Sequence, residues 1–297
     1  IDEAMAKLTD EQVAGLDMTR WENICNAMNA PALVEVQAGE HTDHPICGAE
    51  CVHTNETHTP PAGTWTAINS ADELKYGMQA GNYYLNNDIE LTKQWPINNS
   101  IVLCLNGHSI KMNTNDTAIS VGAGGTFTLC DCKGNGTITH GKQADGTTTY
   151  TGTGVSVSSG GKFNMYGGAI TGNTLGDYGE GGGVHVEYAG TFNMYGGTVT
   201  ENSAPSGGGV SVKRNGTFNM YDGTISSNIS TSTGSYGGGG VYVDTAGKFT
   251  MSNGSISYNE ANGCYGGGVY VYDSDSGSGT FTMTGGIINN NTSSQGG

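Results

Sequence analysis

Arginine is almost missing from this 297-residue chain: Arg20 and Arg214 are its only guanidinium groups, and 11 basic residues face 27 acidic ones for a formal charge of −16. Such a balance argues against nucleic acid and anionic membrane surfaces as partners. It also argues against tight capture of polyanionic glycans, since bidentate clamps on carboxylate or sulfate usually need arginine. No stretch has the apolar length of a membrane-crossing helix, and Ile1-Asp2-Glu3 does not open a signal peptide. Chemistry-bearing signatures are scarce too. There is no Asp-Asp pair, no Gly-His-Gly and no Arg-x-Lys, whereas glycoside hydrolysis needs paired carboxylates and uronate elimination needs a base plus a neutralising cation. Prolines number 6 against 51 glycines, and hydrophobic residues make up 35%. That is the composition of a turn-rich all-β chain with a narrow interior.

What the chain has in abundance is repetition. Gly190 to Asn202 reads G-T-F-N-M-Y-G-G-T-V-T-E-N, and close copies start at Gly161 and Gly216, with further ones from Lys248 and Thr280 and a diverged one at Thr126. The anchoring residues Phe127, Phe163, Phe192, Phe218, Phe249 and Phe281 lie 26 to 36 residues apart, a solenoid period. Each repeat resolves into three short strands. The first follows a glycine run, as in Val184-His185-Val186 or Val210-Ser211-Val212; the second is Phe-x-Met; the third is Thr-Val-Thr or Ser-Ile-Ser. Period-2 alternation in pieces this short, with no helical run of ten residues between them, predicts an all-β parallel β-helix. Right-handed coiling is expected from the chirality of parallel crossovers.

Stacking at the spacing of neighbouring strands turns equivalent residues into ladders. Phe192 is expected between Phe163 and Phe218, and Met194 between Met165 and Met220. Asn173, Asn202, Asn228, Asn259 and Asn291 close the third strand of successive repeats, which predicts an amide ladder of structural kind. The runs Gly181 to Gly183, Gly207 to Gly209 and Gly266 to Gly268 have no following helix or lysine, so they read as positive-φ corners, not as phosphate loops.

Three regions follow: a helical N-terminal segment over 1–40, a Cys/His-rich loop over 41–62 and the β-helix over 63–297. In the first, Thr9 to Gln12 has capping-box spacing ahead of Val13, Leu16, Met18, Trp21, Ile24, Cys25 and Met28. The loop concentrates His41, His44, Cys47, Cys51, His53 and His58 in 18 residues. These types suit a structural zinc ion; a Cys47–Cys51 disulfide and unligated surface residues are the alternatives. Within the β-helix, Ser70 to Met78 reads as one short capped helix, and Cys104, Cys130 and Cys132 fall in neighbouring coils, open to a thiol cluster, an inter-coil disulfide or plain packing. The chain stops at Gln295-Gly296-Gly297, where another glycine corner would begin, so the expectation is that both ends are cut and the natural protein runs on.

The G-T-F-N-M-Y-G-G unit, Leu103 to Gly107, Leu129 to Cys132 and the His/Cys stretch resemble the right-handed β-helix regions of large surface proteins from Gram-positive gut bacteria. Gly167-Gly168-Ala169-Ile170 is also similar to the G-G-A-I signature of polymorphic outer-membrane-protein repeats, without the usual F-x-x-N companion. The resemblance covers about residues 63 to 297 and implies an extracellular, wall-associated protein of the pectin-lyase-like fold class.

Alternation turns Tyr166, Tyr195 and Tyr221 outward from the Phe-x-Met strand, and Tyr242, Tyr270 and Tyr272 add to an aromatic wall suited to sugar rings. Beside the outward row Ser156, His185, Ser211, Tyr242 and Tyr270 run Ser158, Glu187, Lys213, Asp244 and Tyr272, read as a surface ion-pair row with His185 beside Glu187 as the one acid–base pairing. Asp273 to Gly277 reads as a solvated turn. The functional expectation is a non-enzymatic cell-surface stalk for adhesion or display, with glycans or host surface proteins as partners. A polysaccharide-active β-helix enzyme is the alternative, and a plain spacer the third reading.

Overall fold

A computed structural model of the chain describes residues 65–234, 237–273 and 277–295. The helical segment 1–40 and the loop 41–62, with His41, His44, Cys47, Cys51, His53 and His58, lie outside the described residues. What is described is an all-β parallel solenoid of about seven turns, and every ladder between its strands is parallel. The Phe-x-Met strands form a nine-stranded sheet running from Trp65–Ile68 to Thr280–Met283. The valine strands form a seven-stranded sheet from Trp95–Ile97 to Val269–Val271, and the third strands an eight-stranded sheet from Ile89–Leu91 to Ile287–Asn289.

The pattern of one apolar residue in two explains the interior. In Val184–Val186 the valines are buried and His185 is half-exposed. Phe127, Phe163, Phe192, Phe218, Phe249 and Phe281 make one stack, with ring centroids 4.6 to 5.3 Å apart and interplanar angles from 5 to 17°. This spacing equals the distance between hydrogen-bonded strands, so face-to-face contact of the rings follows directly from strict register: Phe192 pairs with Phe163 on one side and Phe218 on the other. Met194 sits in the same way between Met165 and Met220.

The asparagine ladder is present and wholly buried for Asn173, Asn202, Asn228 and Asn259. The amide oxygens of Asn202, Asn228, Asn259 and Asn291 each accept two bonds from the preceding coil, as when Asn228 Oδ1 takes the backbone N–H and Nδ2 of Asn202 at 3.0 Å each. Each Nδ2 also donates to a third-strand carbonyl, Asn228 to Val199 at 2.9 Å. The corner after each third strand is thereby fixed by hydrogen bonds within the chain. At the N-terminal end of the ladder the donor is not an asparagine: His140 Nδ1 lies 2.8 Å from Asn173 Oδ1, and its Nε2 lies 2.8 Å from the Asp116 carbonyl.

Two expectations are revised. Three strands per coil is an undercount in the later coils, where Ser203–Ala204, Ile229–Ser230, Glu260–Ala261 and Thr292–Ser293 pair into a fourth, four-stranded sheet just after the ladder asparagines. Two-residue strands carry too little alternation to be read from sequence. The helix expected from Ser70 to Met78 is a single 3-10 turn, Ala71–Glu73, whose Glu73 carboxylate accepts the N–H groups of Asn69 and Ser70 at 2.9 and 3.0 Å. Leu74 and Met78 leave it to join the core.

The glycine runs have a mixed origin. Gly207, first of its run, has φ +63°, the left-handed corner anticipated. Gly209 is there for closeness: a Cβ on it would stand 2.6 Å from the Gly240 carbonyl oxygen of the next coil and 2.9 Å from Asn228 Nδ2.

Candidate functional site

The outward row of the valine sheet is in register as expected, Ser156 to His185 to Ser211 to Tyr242 to Tyr270. Over its first coils lies an open groove of about 280 Å³ whose lining includes Tyr178, Glu180, His185, Glu187, Lys213 and Arg214. Three of the five ion pairs among the described residues lie in it. Lys213 Nζ meets Glu180 Oε2 at 2.5 Å, Arg214 Nη1 meets Glu187 Oε2 at 2.7 Å, and His185 Nε2 lies 3.5 Å from the same Glu187 oxygen.

The pairing differs from the ion-pair row read along the strand. Lys213 bonds to Glu180, which arrives from the loop after Asn173, while Asp244 accepts from Tyr242 Oη at 3.1 Å. Sequence distance hid the Glu180 contact, because that loop folds back over the sheet. With side chains only 14% and 26% exposed, Lys213 and Glu180 are shielded more than a typical surface pair.

The interaction with His185, supported by the hydrogen bond and charge of Arg214, holds the Glu187 carboxyl below its ordinary range against the opposing effect of burial. Glu187 is therefore an anion at neutral pH, suited to accept hydrogen bonds and not to donate a proton. Arg214 also donates to Tyr188 Oη at 2.6 Å and stands 4.9 Å from the Tyr188 ring centroid, a cation–π contact. The groove thus presents fixed donors and acceptors whose charges cancel in pairs.

The six tyrosines of the expected aromatic wall do not form one platform. Tyr166, Tyr195 and Tyr221 stack on one another, with centroids 4.6 and 4.7 Å apart and interplanar angles of 12° and 4°. Tyr195, the middle ring, has both faces covered by its neighbours and is only 9% exposed. Tyr242 is buried at 1% exposure, with Tyr270 6.0 Å away and Tyr272 a further 6.4 Å on. Tyr195 and Tyr242 thus offer little ring surface to a sugar. Tyr178, by contrast, is 98% exposed and Tyr188 52%. Tyr178 lies outside the repeating positions, where the short D-Y-G-E stretch is the only signal, and Tyr188 stands at a repeating corner whose residue type varies from coil to coil.

A second cluster lies one face away. Cys104 and Cys130 are register partners, and Cys104 Sγ approaches Cys132 Sγ to 3.5 Å. Cys130 donates instead to the Leu103 carbonyl at 3.6 Å. Hydrogen bonding with Cys130, aided by burial, pushes the Cys104 thiol up to about 12, while Cys132 is the more accessible of the three. With oxidised glutathione at alkaline pH, the Cys132 thiolate is expected to displace one glutathione thiolate, and Cys104, slowed by its raised pKa, then loses its proton and displaces the second to close a disulfide. Peptide mapping of the oxidised protein should recover a Cys104–Cys132 link with Cys130 and Cys264 still free. Recovery of a Cys104–Cys130 link, or of none of these, would contradict the geometry.

No described group of three or more His, Cys, Asp or Glu residues has the geometry of a metal site. Among the described residues no helix is long and apolar enough to cross a membrane. Comparison with protein-family models, with curated proteins and with solved structures finds no match to this chain.

Proposed function

We propose that this chain is a non-catalytic, extracellular solenoid of bacterial cell-surface type, serving adhesion or display by binding glycans or host surface proteins. The observation that carries this reading is the state of the carboxylates in the groove. Glu187 is matched by Arg214 and His185, and Glu180 by Lys213. Glycoside hydrolysis requires one carboxyl held protonated as general acid, whereas both groove carboxylates are ion-paired to a lysine or an arginine. A rigid, repeated surface with paired charges is instead suited to recognition without turnover.

The reading is tested by incubating the protein with mucin, host and plant glycans and following both retention on the glycan and small saccharides released into solution. Retention without release is the expected result. Time-dependent release that disappears on heat denaturation would replace it with the polysaccharide-active alternative and direct attention to His185 and Glu187. Neither retention nor release would leave host proteins, or a spacer role, in place of glycans.

A further inference from the structure

We propose that the groove beside Tyr178, and not the stacked tyrosine wall, is the ligand site, and that it takes a neutral pyranose-containing glycan. The inference rests on the glycan-binding reading above and adds its location and ligand class. Its starting point is the backbone. Most non-glycine residues with positive φ fall at two recurring places in the coils: the corners Ser159, Tyr188/Ala189, Arg214/Asn215 and Thr245/Ala246, and the residues before the ladder asparagines, Glu201, Ser227, Tyr258 and Asn290; Asn106 stands apart from both, and asparagine is a type that tolerates this region. Tyr178, with φ +67°, belongs to neither series. Coil geometry therefore does not demand it, and at such an angle glycine is the unstrained choice. An aromatic ring that is 98% exposed gains almost nothing from burial in return. A strained, solvent-facing aromatic on the rim of a polar groove is the pattern expected of a side chain kept for contact with something else.

The groove supplies the rest of the chemistry. It spans four successive coils, from Thr117 through Ser156 and His185 to Lys213, or about 14 Å at the usual strand spacing. Glu187 and Glu180 offer acceptors, Arg214 and Lys213 offer donors, and each is oriented by its partner. Sugar hydroxyls can add to these pairs without separating them, while the C–H face of a pyranose lies on Tyr178. A uronate or sulfated sugar would have to displace Glu180 or Glu187 from its cation and approach a chain of charge −16. Charge matching inside the groove and excess negative charge outside it both favour a neutral ligand.

The test is affinity electrophoresis of the full chain in soluble galactan, mannan, xylan and mixed-linkage glucan, with polygalacturonate and chondroitin sulfate as anionic probes. At least one neutral polysaccharide should retard the protein. Tyr178→Gly should weaken that retardation about tenfold or more, as loss of an aromatic anchor does, and because glycine suits the backbone angle the variant should be at least as stable as the parent. Glu187→Gln should weaken it as well, while Tyr258→Ala, remote from the groove and 65% exposed, should leave it unchanged. If the parent is retarded and Tyr178→Gly and Glu187→Gln are retarded equally, the site lies elsewhere and this inference falls while the glycan reading stands. Retardation by the anionic probes alone would overturn the ligand class. A parent chain retarded by none of the six would remove the glycan reading and this inference together.

Discussion

Asn228→Ala is expected to destabilise the solenoid by about 3–6 kcal/mol, since a buried polar group left without its partner costs about 1–3 kcal/mol. Two groups, the Asn202 backbone N–H and the Val199 carbonyl, lose a partner, and a third, Asn202 Nδ2, keeps only its bond to the Ile170 carbonyl. No water replaces them easily, because Asn202 and Asn228 are both 0% exposed. Urea unfolding followed by circular dichroism measures the effect. Asn291→Ala, at the half-buried end of the ladder, is the internal comparison and should cost distinctly less. Equal losses at the two positions would mean that burial does not set the ladder's worth. Because a solenoid is held by nearest-neighbour contacts, the Asn228 variant should also unfold in two steps, the coils on either side separating thermodynamically.

Phe192→Ala carries the other large effect, about 3–5 kcal/mol, the usual range for emptying a buried phenylalanine site. The ring lies between Phe163 at 4.9 Å and Phe218 at 4.7 Å. Backbone hydrogen bonds of the sheet hold those two neighbours in register, so the stack cannot close over the gap and a cavity remains. Phe192→Leu should recover more than half of the loss by refilling volume. Phe281→Ala, where the ring is only partly buried at the last described coil, should cost far less than Phe192→Ala. A Phe192→Ala variant within about 1 kcal/mol of the parent, below the range for such truncations, would show that the aromatic stack is not what holds adjacent coils together.

Much of this fold was legible because its physics is one-dimensional. A solenoid repeats one local solution, so register, ladder and core all follow from spacing: six phenylalanines and five asparagines at a common period predict their own neighbours. The fourth sheet was not legible, since Ser203–Ala204 and its three partners are pairs of residues with no periodic signal. The glycine runs were partly misread. A positive-φ corner at Gly207 is a local requirement, but the closeness of Gly209 to Gly240 exists only once the next coil is in place.

The candidate site divides in the same way. Placing Tyr166, Tyr195 and Tyr221 on one outward row needed only alternation, but which faces are free depends on ring stacking across coils, which covers both faces of Tyr195. His185 beside Glu187 was visible along the strand, yet Glu180 reaching Lys213 was not, because a loop of variable length returns over the sheet and its path is set by tertiary packing. By itself, then, the sequence determined the parallel solenoid, its phenylalanine and asparagine ladders and the shortage of cationic groups, all properties of composition and period. Only the tertiary structure decided which charges meet, which aromatic faces remain open and where Tyr178 stands, because these depend on loops that do not repeat.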